Sequence, residues 1–185
     1  PDPEDPGAPE LDPHPNSKLI RAPPVVANLT DDNGDGVIDE RDTPEVIVTA
    51  VAHSEGVLRA VHGDTGELFW TWPQDGTAEA SRVVSFKPPA VADLDGDGVP
   101  EILAFDWNSN TICCVNADGT TKWTKTGAPQ YFTSGPFAVA DLEGDGTPEI
   151  LSGATALDHE GNALWQAPYP TYCGGDTGTG GASQP

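Results

Sequence analysis

Asp93, Asp95, Asp97 and Glu101 stand at positions 1, 3, 5 and 9 of the stretch Asp-Leu-Asp-Gly-Asp-Gly-Val-Pro-Glu, with Gly98 at position 6. Carboxylates alternating around a tight turn converge their oxygens on one point, and the backbone carbonyl of Val99 adds another at position 7. Glycine at position 6 permits the positive φ that wraps the chain. Ca2+ takes about six to eight hard oxygens in flexible geometry, whereas Mg2+ holds to a stricter octahedron and keeps its waters. Zinc and copper favour Cys and His, and these loops contain neither. The pattern returns at Asp141, Glu143, Asp145, Thr147 and Glu149, around Gly146. It returns lengthened at Asp31, Asn33, Asp35, Val37 and Asp39, around Gly36, with Asp42 at position 12, where an EF-hand loop places its bidentate acid. Internal spacing favours the Asp31 to Asp39 assignment, although aligning by the flanks pairs Asn28 with Asp93 and Glu45 with Glu101. Asp and Gly are frequent in ordinary turns, so one such loop would say little. Three loops at the same place in three repeats predict about three Ca2+ ions.

The elements that position these loops repeat with them. Pro24-Val-Val-Ala-Asn-Leu29, Pro89-Ala-Val-Ala-Asp-Leu94 and Pro136-Phe-Ala-Val-Ala-Asp-Leu142 each lead into a Gly-Asp-Gly turn and then Pro-Glu-(Val/Ile)-(Ile/Leu). A second block follows in each unit, a short β-branched run, a Gly turn and a tryptophan: Val57–Val61 with Gly66 and Trp70, Thr111–Val115 with Gly119 and Trp123, Ala154–Leu157 with Gly161 and Trp165. Such runs broken by Asp-Gly or Glu-Gly are hairpin signals, and the closing Trp suits a half-buried strand. Each unit therefore reads as strand, metal turn, strand, strand, Gly turn, strand. No segment keeps helical spacing for three turns, so helix should be nearly absent. The predicted fold class is all-β, with about three tandem four-stranded β-propeller-like blades forming a partial propeller. The units are expected at 19–87, 88–134 and 135–173, after a Pro- and acid-rich arm at 1–18 and before a Gly-rich tail or continuation at 174–185. Asn28 to Asp93 is a longer step than Asp93 to Asp141, so the first unit carries an insertion.

Val91-Ala-Asp-Leu-Asp-Gly-Asp-Gly-Val-Pro-Glu-Ile102 and its two copies resemble FG-GAP/VCBS repeats, the calcium-bearing blades of integrin-α-type β-propellers. The resemblance spans roughly residues 22–166 and implies calcium ligation by Asp93, Asp95, Asp97, Val99 and Glu101 and their counterparts. The FG-GAP dipeptide itself survives only as Gly135-Pro136-Phe137, and the family's usual ring has more blades than three. The inserted first loop, with its Asp-x-Asn-x-Asp-Gly core, resembles the opening blade of large secreted bacterial repeat proteins.

Thirty acidic side chains against eight basic ones give a formal charge of −22, which opposes compaction unless cations neutralise it. The same imbalance excludes nucleic acid as a partner, since phosphate binding needs clustered Lys and Arg. No apolar run is long enough to span a membrane, no signal segment opens the chain, and the lack of any Met fits a processed or excised piece. Cys113, Cys114 and Cys173 allow either one disulfide to Cys173 or small buried fillers. His14, His53, His62 and His159 lack ligand spacing and read as solvated loop residues, while Trp70, Trp72, Trp107, Trp123 and Trp165 read as packing residues. No nucleophile elbow, zinc helix or phosphate loop occurs. The expected function is an extracellular or cell-surface calcium-binding module, not an enzyme, that meets other protein subunits, surface or matrix ligands or its own copies, in adhesion, a matrix or a filament. The alternative is the propeller part of a secreted polysaccharide-active enzyme.

Overall fold

The computed structural model describes residues 17–52, 55–74, 83–84, 87–106, 111–126, 136–153 and 155–166. The arm up to residue 16, the Gly-rich tail, His14, His53, Trp107 and Cys173 lie outside them. The described residues form strands, turns and bends, with no helix among them. Three antiparallel sheets follow one another along the chain. The first holds β1 (Leu19–Ile20), β2 (Val25–Ala27), β3 (Glu45–Ala52), β4 (Glu55–His62) and β5 (Leu68–Trp72). The second holds β6 (Ala90–Ala92), β7 (Glu101–Asp106), β8 (Thr111–Val115) and β9 (Thr121–Lys125), and the third holds β10 (Ala138–Ala140), β11 (Glu149–Ser152), β12 (Thr155–Leu157) and β13 (Ala163–Gln166). In the second and third sheets strands pair in sequence order as a meander, in the first β3, β4 and β5 do so, and each acidic loop joins a three-residue strand to the strand that follows it. In the first sheet β1 and β2 share one edge of β3, Leu19 facing Val51 and Val25 facing Ile47. Pro23 and Pro24 interrupt that edge because proline has no N–H to give a ladder.

Strand β2 lies against β6, and β6 against β10. Two apolar clusters lie between successive sheets. Ile102, Ala104, Cys113 and Val115 meet Ile47, Leu58, Trp70 and Trp72 of the first sheet. Leu103, Phe105, Ile112 and Cys114, the alternate residues of the same strands, meet Ile150 and Leu157 of the third. Successive side chains of a strand point to opposite faces, so the near-continuous apolar runs of β7 and β8 are what a sheet covered on both sides requires. Each fully buried Ile, Leu, Val or Phe among them contributes about 1.5–3 kcal/mol. Lys87 closes the second cluster from outside, its Nζ 4.0 Å from the Phe105 ring centre, while Phe105 stacks on Phe137 at 3.9 Å.

Cys113 and Cys114 fall in different clusters and are free thiols. Burial pushes both up to about 12, with Asp106 adding to the effect on Cys113 and Glu101 on Cys114. The filler reading of these residues is the one the fold adopts.

The tryptophans are not alike. Trp70 is buried and donates Nε1–H to the Ala117 carbonyl at 2.8 Å, crossing from the first sheet to the second. Trp123 is half-buried and donates to the His159 carbonyl at 3.1 Å, crossing from the second to the third. Each indole lies over the glycine of the next sheet's hairpin. A Cβ on Gly119 would come within 2.8 Å of Trp70, and one on Gly161 within 2.9 Å of Trp123. Trp165, expected to be half-buried like the others, is 47% exposed because no described sheet follows it.

Candidate metal centres

The three acidic loops fold into the same wrap. In the second, one Asp93 oxygen accepts N–H bonds from Gly96 at 2.8 Å and Asp97 at 3.2 Å, the other accepts from Gly98 at 2.9 Å, and Asp97 accepts from Val99 at 2.8 Å. Asp141 takes Gly144, Asp145 and Gly146 in the same order, and Asp145 takes Thr147. Asp31 takes Gly34, Asp35 and Gly36, and Asp35 takes Val37. Gly34, Gly96 and Gly144 have φ of 74, 76 and 75°, and Gly36, Gly98 and Gly146 of 88, 87 and 92°. These are left-handed angles that a Cβ would strain at, which is why the loops read Asp-Gly-Asp-Gly or a close variant.

A buried glutamate at the start of each second strand ties the loop to its sheet. Glu101 accepts Leu94 N–H at 2.9 Å, Glu149 accepts Leu142 N–H at 2.7 Å, and Glu45 accepts Leu29 N–H at 2.8 Å. Glu45 thus plays in the first unit the part of Glu101 and Glu149, as the flank alignment has it, while the wrap on Asp31 follows the internal spacing. The two alignments describe different halves of one loop. The insertion separates the halves, and Asp42, buried, spans the gap: it accepts N–H from Asn33 at 3.3 Å and from Asp39 at 2.8 Å, and the Asn33 amide at 2.7 Å.

In the second loop Asp93, Asp95 and Glu101 place oxygens within 4.8 Å of one another, a cluster that can hold a metal ion. Among the described residues no other group of three acids does so. Asp97 and Val99 flank that cluster within the wrap, but the Asp97 carboxylate is turned to the Val99 N–H. Asp141, Glu143, Asp145, Thr147 and Glu149 share the wrap and the tethering glutamate without that convergence. In the first loop Asp35 and Asp39 face Arg41, with Asp35 at 2.9 Å and Asp39 at 3.6 Å.

Lys122, from β9, completes the second site. Its ammonium bonds Asp95 and, at 2.7 Å, Glu101. Burial works against its charge, but these hydrogen bonds and the two carboxylate charges win and hold it above the ordinary lysine range. The Lys122 hydrogen bond in turn holds Asp95 below the usual carboxylate range. The donor set fits a hard cation: every ligand atom that Asp93, Asp95 and Glu101 offer is a carboxylate oxygen, and an ammonium already stands between Asp95 and Glu101 as a positive charge would. In the first loop the Asn28 side-chain oxygen is buried without a hydrogen-bond partner while its amide donates to the Asp39 carbonyl. Asp93, Asp95 and Glu101 would hold such a cation, which would supply charge neutralisation and a cross-link between turn and sheet. Beside the cluster a cleft of about 330 Å3 between the first two sheets is lined by Phe69, Asp97, Glu101, Asn116, Asp118 and Lys122 among others.

Sequence reasoning left Glu45 out of the preferred ligand set and missed Lys122. Glu45 was findable from the repeated Pro-Glu-(Val/Ile). Lys122 was not, since the sheet register alone brings it to the loop. His62, expected in solvent, ends β4 with Nδ1 3.7 Å from Glu45 Oε1.

Fold and loops together define an all-β protein of tandem antiparallel sheets, one five-stranded and two four-stranded, with acid-rich turns. Residues 93–152, which hold the second and third loops, match the family model of the FG-GAP-like repeat. No curated protein matches the chain. Among solved structures it is similar to the V. cholerae biofilm matrix protein Bap1, at 28% identity and TM-score 0.55 over 84% of this chain and 32% of that one. It is also similar in fold to the rhamnogalacturonan lyases YesW, at 19% identity and TM-score 0.51 over 77% of this chain and 30% of that one, and YesX, at 20% and 0.51 over 77% and 29%. The chain therefore spans about a third of the length of the proteins it matches.

Proposed function

We propose that this chain is an extracellular calcium-binding structural or adhesion module, a run of β-propeller blades that presents surfaces to protein subunits or matrix ligands and performs no catalysis. The observation that carries the reading is the wrap repeated three times, each beside a buried glutamate. A turn rich in carboxylates gains from a divalent cation both neutralisation and rigidity. Such a body is firm where calcium is millimolar, as outside cells, and loose where it is scarce. The FG-GAP-like repeat over residues 93–152 and the 28% identity to a biofilm matrix protein support this placement. The carboxylates nearest the cleft are bound by Lys122 or by backbone N–H groups, an arrangement that suits charge holding better than proton transfer. The alternative, the propeller part of a polysaccharide-active enzyme, draws on the fold shared with two rhamnogalacturonan lyases, and at 19% and 20% identity that likeness is one of fold alone.

Calorimetric titration with CaCl2 tests the reading. The parent chain should bind about three ions. Asp95→Asn, which leaves the Asp93 wrap intact, should bind one fewer, and Asp118→Asn, in the neighbouring hairpin turn, should match the parent. No heat of binding in the parent, or equal stoichiometry in Asp95→Asn, would remove the metal role from the second loop.

A further inference from the structure

We infer that the cleft between the first two sheets is a binding site for an organic cation, an ammonium or guanidinium carried on a short apolar stem. The inference goes beyond the calcium reading and stands without it, because it rests on the walls of the cleft and not on an ion in the loop.

Three kinds of group line the cleft of about 330 Å3. Leu29, Phe69, Val99 and Ala117 supply apolar surface, and the Phe69 ring rests against that of His62 with ring centres 5.0 Å apart. The donors in the walls are already engaged. The Thr30 hydroxyl donates to Glu45 at 3.0 Å, the Asn116 amide to the Thr120 hydroxyl at 2.9 Å, and the Lys122 ammonium to Asp95 and Glu101. Asp97 and Asp118 differ from both groups. Each spends one oxygen inside its own turn, Asp97 on the Val99 N–H at 2.8 Å, Asp118 on the Thr120 N–H at 2.9 Å and the Thr120 hydroxyl at 2.6 Å. The second oxygen of each accepts from no described residue, and neither carboxylate pairs with a described basic side chain.

With its donors spent and two acceptors spare, the cleft suits a guest that donates hydrogen bonds. Asp97, Glu101 and Asp118 stand against the single ammonium of Lys122, so the lining repels anions and attracts a positive charge. The Phe69 face adds to that attraction, since an aromatic ring draws a cation, and the apolar surface covers a hydrocarbon stem. A planar guanidinium has donors enough to meet two carboxylates at once. A volume of about 330 Å3 lies at the small end of ligand sites, with room for one side chain or a small amine. A free amine and an Arg or Lys side chain of a partner protein share this chemistry. The charge of −22 attracts every cation to the chain, so the test must separate the cleft from the general field.

Titration of the 185-residue chain with butylguanidine in millimolar CaCl2, followed by NMR amide shifts, makes that separation. The amides of Phe69, Asn116 and Asp118 should move together and saturate with a dissociation constant of about a millimolar. Butylurea, of the same shape without the charge, should move none of them at equal concentration. Asp118→Asn keeps an acceptor for Thr120 and should weaken binding at least about fivefold. Asp64→Asn removes a charge from the hairpin turn of the first sheet instead, and should bind as the parent does. The peptide GGRGGG separates the two sources: tighter binding than butylguanidine marks a partner's side chain, and equal or weaker binding a free amine. Butylurea binding as well as butylguanidine, shifts spread evenly over the three acidic loops, or equal affinities in Asp118→Asn and Asp64→Asn would overturn the inference. Calcium stoichiometry is read separately by calorimetry, so absent calcium heat beside saturable guanidinium binding would remove the calcium reading and leave this one in place.

Discussion

Lys122 does for Asp95 and Glu101 what a bound cation would do, and that makes it a competitor for the second loop. Its counterparts two strands away in the repeats, Phe69 and Leu164, carry no charge, so the effect belongs to this site alone. A calcium ion entering here must displace an ammonium held by two carboxylates, whereas in Lys122→Gln it meets both carboxylates without that ammonium. Calcium affinity of the second loop should rise about tenfold in Lys122→Gln, equivalent to about 1.4 kcal/mol. Titration against the parent at fixed ionic strength reads this directly, and an unchanged or weakened affinity would mean that Lys122 helps to hold the site. Glu45 has a structural part that calcium does not replace. It accepts Leu29 N–H and the Thr30 hydroxyl at 3.0 Å, so Glu45→Ala orphans a buried N–H and should cost about 1–3 kcal/mol even in chelator. The pH dependence has a definite sign. Asp95 is held low by Lys122, and Asp145 and Asp118 by Thr147 and Thr120. Groups lowered in the folded state contribute stability above their unfolded value of about 3.9 and lose it as pH falls through the folded value. In chelator, these contributions should therefore persist to about pH 4 and fade below it, as followed by tryptophan fluorescence in denaturant.

At the scale of strands and sheets, stability is concentrated where one sheet's tryptophan meets the next sheet's glycine. Trp70→Ala opens a cavity and orphans the Ala117 carbonyl, and should destabilise by about 3–5 kcal/mol, measurable as a shift of the denaturant midpoint. Cys113 and Cys114 report on the two clusters separately. With both thiols pushed up to about 12, a thiol reagent at neutral pH should label neither in a folded Cys173→Ser chain, and both once it unfolds. The order of strands and turns was legible because β-branched runs alternate with Asp-Gly and Glu-Gly turns, and each of those turns fell between the predicted strands. The burial of the tryptophans was not legible, since Trp70 and Trp165 occupy the same place in the repeat and differ in whether a further described sheet covers them. The first loop was half legible: the Asp31 wrap obeys local spacing, but the insertion hid that Glu45 is the tether. Lys122 reaches its loop from a strand 21 residues beyond Glu101, a distance that no local pattern reports.

For the molecule as a whole, two apolar clusters join three small sheets while 30 acidic side chains push outward against 8 basic ones. Hydrophobic contact between sheets supplies the cohesion, and the acidic loops concentrate carboxylates at the turns, where a divalent cation would relieve their repulsion. Thermal unfolding in millimolar CaCl2 against excess EDTA at the same ionic strength tests this most directly. Each site filled at about 100 times its dissociation constant adds roughly 2.7 kcal/mol, so the calcium curve should lie well above the EDTA curve, with equimolar MgCl2 close to EDTA. Superimposed calcium and EDTA curves would contradict the central claim.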